Sequence, residues 1–164
     1  MNPYDILYWS IGIIHSEHKI ADKTPIQPTY AKGCKGYVEL CPEFVDGLRD
    51  LSDFSQIYLI YHFHQARSVQ LLVKPYFQDA EHGIFATRAP FRPNPIGLSV
   101  VELLGIEGNI LHLDGVDILD GTPLLDIKPY IAKFDLHHVK SGGWQDEVDE
   151  QTAQRLGKRG YSRP

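Results

Sequence analysis

Residues 96–113, IGLSVVELLGIEGNILHL, decide the reading of this chain. Two runs rich in Ile, Val and Leu, 96–104 and 110–113, flank Gly105, Gly108 and Asn109, residue types that supply the left-handed backbone of a tight hairpin. A strand–turn–strand unit is therefore predicted. Similar runs occupy 9–14, 37–40, 57–63, 69–73 and 125–131, and the pairs Asp114-Gly115 and Asp120-Gly121 mark further tight turns. One helix is predicted over 42–51, where Pro42 fits a first turn and Phe44, Val45, Leu48 and Leu51 recur at helical spacing. Short strands with turn signals at roughly eight- to twelve-residue intervals imply a mainly β protein, a small barrel or a sandwich. Strands do not alternate with long helices, and neither GxGxxG nor GxxxxGK(S/T) occurs, which excludes a Rossmann or P-loop nucleotide site.

The 164 residues, 43% hydrophobic and 23% charged, suit one compact domain. The longest mainly apolar stretches reach about half of the roughly 20 residues a spanning helix needs, so no transmembrane segment is predicted. The start, MNPYDILYWS, has no basic region followed by an apolar run and a cleavage site, and a cytoplasmic location is expected. Sixteen Lys and Arg against 21 Asp and Glu give a net charge of -5. That balance excludes a protein that coats nucleic acid by bulk electrostatics, while permitting local basic patches. Cys34 and Cys41 fit neither a CxxC motif nor a disulfide framework and read as reduced thiols. His62 and His64 share a strand face, but nothing around them completes an HExxH or zinc-ribbon pattern, and no metal is expected.

Two segments carry chemistry. In 83–99, GIFATRAPFRPNPIGLS, Pro90, Pro93 and Pro95 alternate with Arg88, Arg92 and Asn94. Proline fixes φ and removes donors, so the loop is stiff and presents its side chains in a preset geometry. Arginines held this way suit bidentate recognition of a carboxylate or phosphate, or pair with surface acids. In 113–130, LDGVDILDGTPLLDIKPY, Asp114 and Asp120 precede glycines and read as turn residues, whereas Asp117 and Asp126 do not. A carboxylate at a strand end can take both hydroxyls of a ribose. The C-terminal stretch runs from acidic (Asp146, Glu147, Asp149, Glu150) to basic (Arg155, Lys158, Arg159, Arg163), and reads as a solvated terminus or as a basic arm for RNA phosphates.

Four ordered motifs, IGIIHS (11–16), YHFHQA (61–66), FATRAPFRPNPIGLS (85–99) and LDGTPLLDIKPY (119–130), strongly resemble the TsaA-like (TrmO) family of S-adenosyl-L-methionine-dependent tRNA methyltransferases. The resemblance runs over about residues 11–132. It implies a small closed β-barrel with one or two short helices, homodimeric, with each cofactor pocket near the subunit interface. It also implies N6-methylation of a threonylcarbamoyladenosine beside the anticodon, and hence the tRNA anticodon stem-loop as partner. The chain divides into a barrel domain, 1–140, and an acidic-then-basic tail, 141–164, where longer family members carry a further domain. Carried over by motif, the S-adenosyl-L-methionine site comprises Gln27, Pro28, His64, Gln65, Arg88, Leu98, Asp114, Gly115, Val116 and Asp117.

That cofactor presents a carboxylate, a ribose diol and an adenine. Arg88 or Arg92 answers the first, Asp117 the second and Leu98 the third. A general base for the adenine N–H is sought among His64, Asp120 and Tyr130, which the sequence leaves unranked. RNA contacts are expected of Arg92, Asn94 and Lys128, and Tyr76, Phe77 or Phe91 serve as stacking platforms or as core. Two other readings stand beside this one: a barrel of the same kind methylating another nucleoside or a small molecule, and a non-catalytic module that binds S-adenosyl-L-methionine or a nucleotide.

Overall fold

The computed structural model describes residues 6–159. Its strands are β1 (Gly12–Ser16), β2 (Lys35–Leu40), β3 (Gln56–His62), β4 (Leu72–Val73), β5 (His82–Gly83), β6 (Ile96–Glu107), β7 (Ile110–Asp114) and β8 (Thr122–Pro129). Six of them close a barrel in the order β1-β2-β7-β6-β3-β8, with β8 returning to β1 and every pair antiparallel. The sandwich alternative is thereby excluded.

The predicted hairpin is β6–β7. Glu107 pairs with Ile110 across Gly108 and Asn109, and Gly108 has φ +61°, the positive value that a II′-type turn requires at its first loop position. Asn109 ties the turn to β2 by donating from Nδ2 to the Leu40 carbonyl at 2.8 Å. A register shift between Leu103 and Gly105 bulges β6. Its effect is visible in the side-chain parity: Gly97, Ser99, Val101 and Leu103 point inward before the bulge, and Ile106 packs on the core after it. A second shift, opposite Ile60 and Tyr61, changes the inward set of β8 from Thr122 and Leu124 to Ile127 in the same way. The bulges bend strands that would otherwise be too straight to close.

Inside lie Ile14, Val38, Leu40, Ile57, Leu59, Val101, Leu103, Leu111, Leu113 and Leu124, capped by Val116 and Ile118 of the β7–β8 connection. Each such side chain contributes about 1.5–3 kcal/mol by leaving water. Gly97 is inward and bare because the Tyr61 ring lies directly on its backbone, where any Cβ would clash.

Several expected elements differ. The run 9–14 becomes a strand only from Gly12, and Trp9 is exposed. Of 69–73, only Leu72–Val73 is extended, paired with His82–Gly83 in a small sheet outside the barrel. The expected helix over 42–51 is two 3₁₀ turns, Pro42–Leu48 and Leu51–Asp53, broken at Asp50 with φ 65°. Val45, Leu48 and Leu51 recur every third residue, which suits the three-residue turn of a 3₁₀ helix, and Leu48 and Leu51 reach the core while Phe44 stays exposed.

The α-helices lie elsewhere, α1 at Ala132–Asp135 and α2 at Glu150–Gly157, the latter capped by Asp149 accepting from the Thr152 amide at 2.9 Å. The C-terminal segment folds back: Trp144 stacks on His82 and donates to the Ala86 carbonyl, and the Ile26 amide donates to the Gly157 carbonyl at 3.0 Å. Arg159 meets Asp22 at 3.2 Å and lies over the Tyr76 ring. This contradicts a solvated terminus as far as residue 159. Arg163 of the expected basic arm, like the first five residues of the start read above, lies outside the described residues.

Candidate functional site

The proline-bearing segment leaves β5 through a 3₁₀ turn, Ile84–Ala86, and enters β6 at Ile96. Arg92 braces it: Nη1 donates to the carbonyls of Ile84 at 3.0 Å and Thr87 at 2.8 Å. Thus engaged, Arg92 holds the loop in shape, and Asn94, exposed at its tip, is left outward. Arg88 takes a different course and donates from Nη1 to Gln27 Oε1 of the β1–β2 loop, joining residues 61 positions apart. Pro28, next along, opens the 3₁₀ turn Pro28–Tyr30.

Arg88 also lies close enough to Asp117 for its charge to be felt there. Asp117 is almost wholly buried and accepts from Ser99 Oγ at 2.7 Å, and Ser99 is in turn 3.1 Å from the Tyr61 hydroxyl. Burial pushes Asp117 up to about 7, against the opposing pull of the Ser99 bond, its own backbone and Arg88. Burial, and then the Asp117 charge, also raises the Tyr61 hydroxyl far above its ordinary range. Gln27, Arg88, Asp117, Ser99 and Tyr61 therefore form one polar group at a barrel end. Ser99 and Tyr61 were not among the expected residues. Their signal was available: both hold inward positions of strands whose other inward residues are apolar or glycine.

The remaining expected residues divide. Asp114 Oδ1 accepts from the Gly33 amide at 2.7 Å, and Gly115 turns the chain at φ +79°. Val116 is core, with its amide on the Cys34 carbonyl and its carbonyl on His18. These three position Asp117. Leu98 points outward from β6, about half exposed, opposite Ile60 of β3.

His64 and Gln65 follow β3 at the rim where His62 pairs with Ile96. His64 Nδ1 is 3.3 Å from Thr122 Oγ1, whose single proton goes to the Leu119 carbonyl at 2.6 Å. Nδ1 must then be the protonated nitrogen, and the lone pair is on Nε2. Burial, and secondarily His62, lowers the His64 pKa, favouring the neutral ring.

Asp120 is differently employed. It accepts from the Ser16 amide at 3.0 Å and pairs with Lys19 at 2.7 Å. Burial alone would raise its pKa, but Lys19, the Ser16 amide and His15 together hold it below the usual value. It lines an open cleft of about 520 Å³ with His15, Lys19, Tyr37 and His112, a cleft that excludes Arg88 and Asp117. Tyr130 and Lys128 lie at the opposite end of β8 from Thr122, some 26 and 20 Å along the strand at about 3.3 Å per residue. Tyr130 packs against Tyr58, and Lys128 pairs with Asp126 at 2.8 Å. The barrel thus does not bring Tyr130 or Lys128 to the Arg88 group of the same chain.

His62 and His64 gather no further metal-type ligands among the described residues, whereas Glu17, His18 and Cys34 come together. Nothing in the spacing announces that trio, because the 15 residues between His18 and Cys34 form an irregular loop.

The family description "tRNA-methyltransferase O N-terminal domain" matches residues 13–136. A probable S-adenosyl-L-methionine-binding protein of Pyrococcus abyssi is 55% identical over 145 residues, 88% of this chain and 79% of its own length. The human tRNA (adenine(37)-N6)-methyltransferase is 35% identical over 140 residues, covering 80% of this chain and 31% of that protein. A crystal structure of TrmO superposes with TM-score 0.73 at 42% identity, over 85% of this chain and 64% of the crystallised one. The chain therefore spans less than two thirds of that structure and about a third of the human enzyme. With the match covering residues 13–136, well over half of its length, this chain belongs to the tRNA-methyltransferase O N-terminal domain family.

Proposed function

We propose that this protein is an S-adenosyl-L-methionine-dependent methyltransferase that modifies N6 of threonylcarbamoyladenosine beside the anticodon of tRNA. The observation that carries the reading is the Arg88–Gln27 contact beside buried Asp117, a cation on the loop that bears the FATRAPFRPNPIGLS motif held near a buried carboxyl group. The residues fit the cofactor's demands. Gln27 engages one nitrogen of a guanidinium that has five N–H donors, so Arg88 can hold a carboxylate as well. Asp117, in the β7–β8 connection, offers a carboxyl group for the ribose diol, and Leu98 offers an apolar edge for the adenine. When bound, the cofactor supplies an electrophilic methyl group.

The chain's own part is to position and to take a proton. In this reading His64, neutral and with its lone pair on Nε2, accepts the N6 proton in preference to Asp120, which is engaged by Lys19, and Tyr130, which packs on Tyr58. Arg92 and Asn94 on the stiff loop serve the RNA, Arg92 by fixing the loop's shape. Lys128 reaches the substrate from a partner protomer in this reading, which requires a homodimer. Exposed Ile96 and Leu98 on the outer face of β6 support such a contact. Residues 1–140 act as the barrel unit and 141–164 as its appended segment, in the cytoplasm where tRNA is processed.

The test is methyl incorporation from labelled S-adenosyl-L-methionine into tRNA with and without the threonylcarbamoyl group. Incorporation into the modified tRNA alone supports the proposal; binding without turnover on either tRNA overturns it in favour of a non-catalytic module.

A further inference from the structure

Glu17 and His18 leave β1, and Cys34 immediately precedes β2, so the loop between them is clasped at its base by these three side chains. One ligand atom from each lies within 4.8 Å of the others. A tetrahedral zinc ion separates its ligand atoms by roughly 3.3–3.6 Å, given bonds near 2.0–2.3 Å. The pairs therefore lie at most about 1.5 Å beyond that separation, and Glu17, the exposed member, has the most freedom to adjust. The other two are fixed. His18 is buried, its amide donates to Ser16 Oγ at 3.2 Å, and its Nε2 meets the Val116 carbonyl at 2.9 Å. Cys34 is buried, its amide donates to the Ala31 carbonyl at 2.7 Å and its carbonyl accepts from Val116.

The His18–Val116 bond is informative. A ring nitrogen that donates to a carbonyl leaves the other nitrogen as the lone-pair donor, the usual state of a metal-ligating histidine. Thiolate, imidazole and carboxylate together select a borderline-soft cation over magnesium or calcium, which prefer oxygen ligands.

We propose that Glu17, His18 and Cys34 form a site for a thiophilic divalent cation of the zinc class, with its fourth position open to solvent beside Glu17. Binding displaces the thiol proton of Cys34 to solvent and forms the metal–sulfur bond. The cation fastens the base of the loop that carries Gln27 to the Val116 carbonyl, one residue from Asp117. The site stands independently of the methyl-transfer reading.

Titration of the metal-free 164-residue protein with Co²⁺ in thiol-free reducing buffer tests it. The expected result is about one equivalent bound, with a thiolate-to-cobalt charge-transfer absorption that Zn²⁺ displaces. Cys34→Ser abolishes the absorption and Cys41→Ser keeps it. Because Cys34 is buried, Glu17→Gln provides a second variant that leaves the core intact: it weakens Zn²⁺ binding by roughly tenfold or more. No charge-transfer absorption in the parent protein, its survival in Cys34→Ser, or unchanged Zn²⁺ affinity in Glu17→Gln overturns the proposal.

Discussion

Ser99 Oγ donates to Asp117 Oδ1 across 2.7 Å in a part of the barrel end that water barely reaches. The bond favours the carboxylate, yet burial outweighs it and Asp117 titrates at about 7. In an unfolded chain an aspartate titrates near 4, so between roughly pH 4 and 7 the folded protein holds a proton there that the unfolded chain does not. The stabilisation from that proton is complete below about pH 4 and is lost as pH rises through 7. Urea unfolding across this window should show the parent losing stability relative to Asp117→Asn, by on the order of 4 kcal/mol. Ser99→Ala should move the midpoint of the loss upward.

Arg88→Ala should weaken S-adenosyl-L-methionine binding about 10- to 100-fold by calorimetry, the usual worth of a hydrogen-bonded charge. Gln27→Ala should cost less, because it removes only the group that orients the guanidinium. Arg88→Lys should restore little, since a point charge cannot hold both partners at once.

His64→Ala should lower single-turnover methylation at saturating cofactor by about 10²- to 10⁴-fold, a loss larger than any accompanying change in cofactor affinity measured by calorimetry. With its pKa depressed by burial, the rate should persist to pH values below 6.5 before protonation of Nε2 removes it. Asp120→Asn and Tyr130→Phe should show no comparable loss of rate; a collapse in either would reassign the base.

Gly97→Ala should force the Tyr61 ring off the β6 backbone and break its contact with Ser99. Overpacking of this kind costs about 1–3 kcal/mol, measurable as a lower denaturation midpoint. Tyr61→Phe separates the two causes, since it retains the ring and removes only the hydroxyl.

Local physics made much of this protein legible in one dimension. The β6–β7 hairpin follows from Gly108-Asn109 between two apolar runs, and the stiffness of the Arg88 loop from its prolines, because turn chemistry and fixed φ act over a few residues. The family came from the resemblance of four ordered motifs rather than from that physics. Local pattern misled where two periods nearly coincide: Val45, Leu48 and Leu51 satisfy both an α-helix and the 3₁₀ turns that form. Only closure of the barrel could bring Gln27 to Arg88, bury Asp117 against Ser99, send Lys128 and Tyr130 to the far end of β8, and set Cys34 beside His18. Those relations depend on strand register and on bulges that reverse which side chains face inward, and a slip of one residue would undo them. Sequence determined which chemistry-bearing residues this chain carries; the register of six strands decided which of them meet.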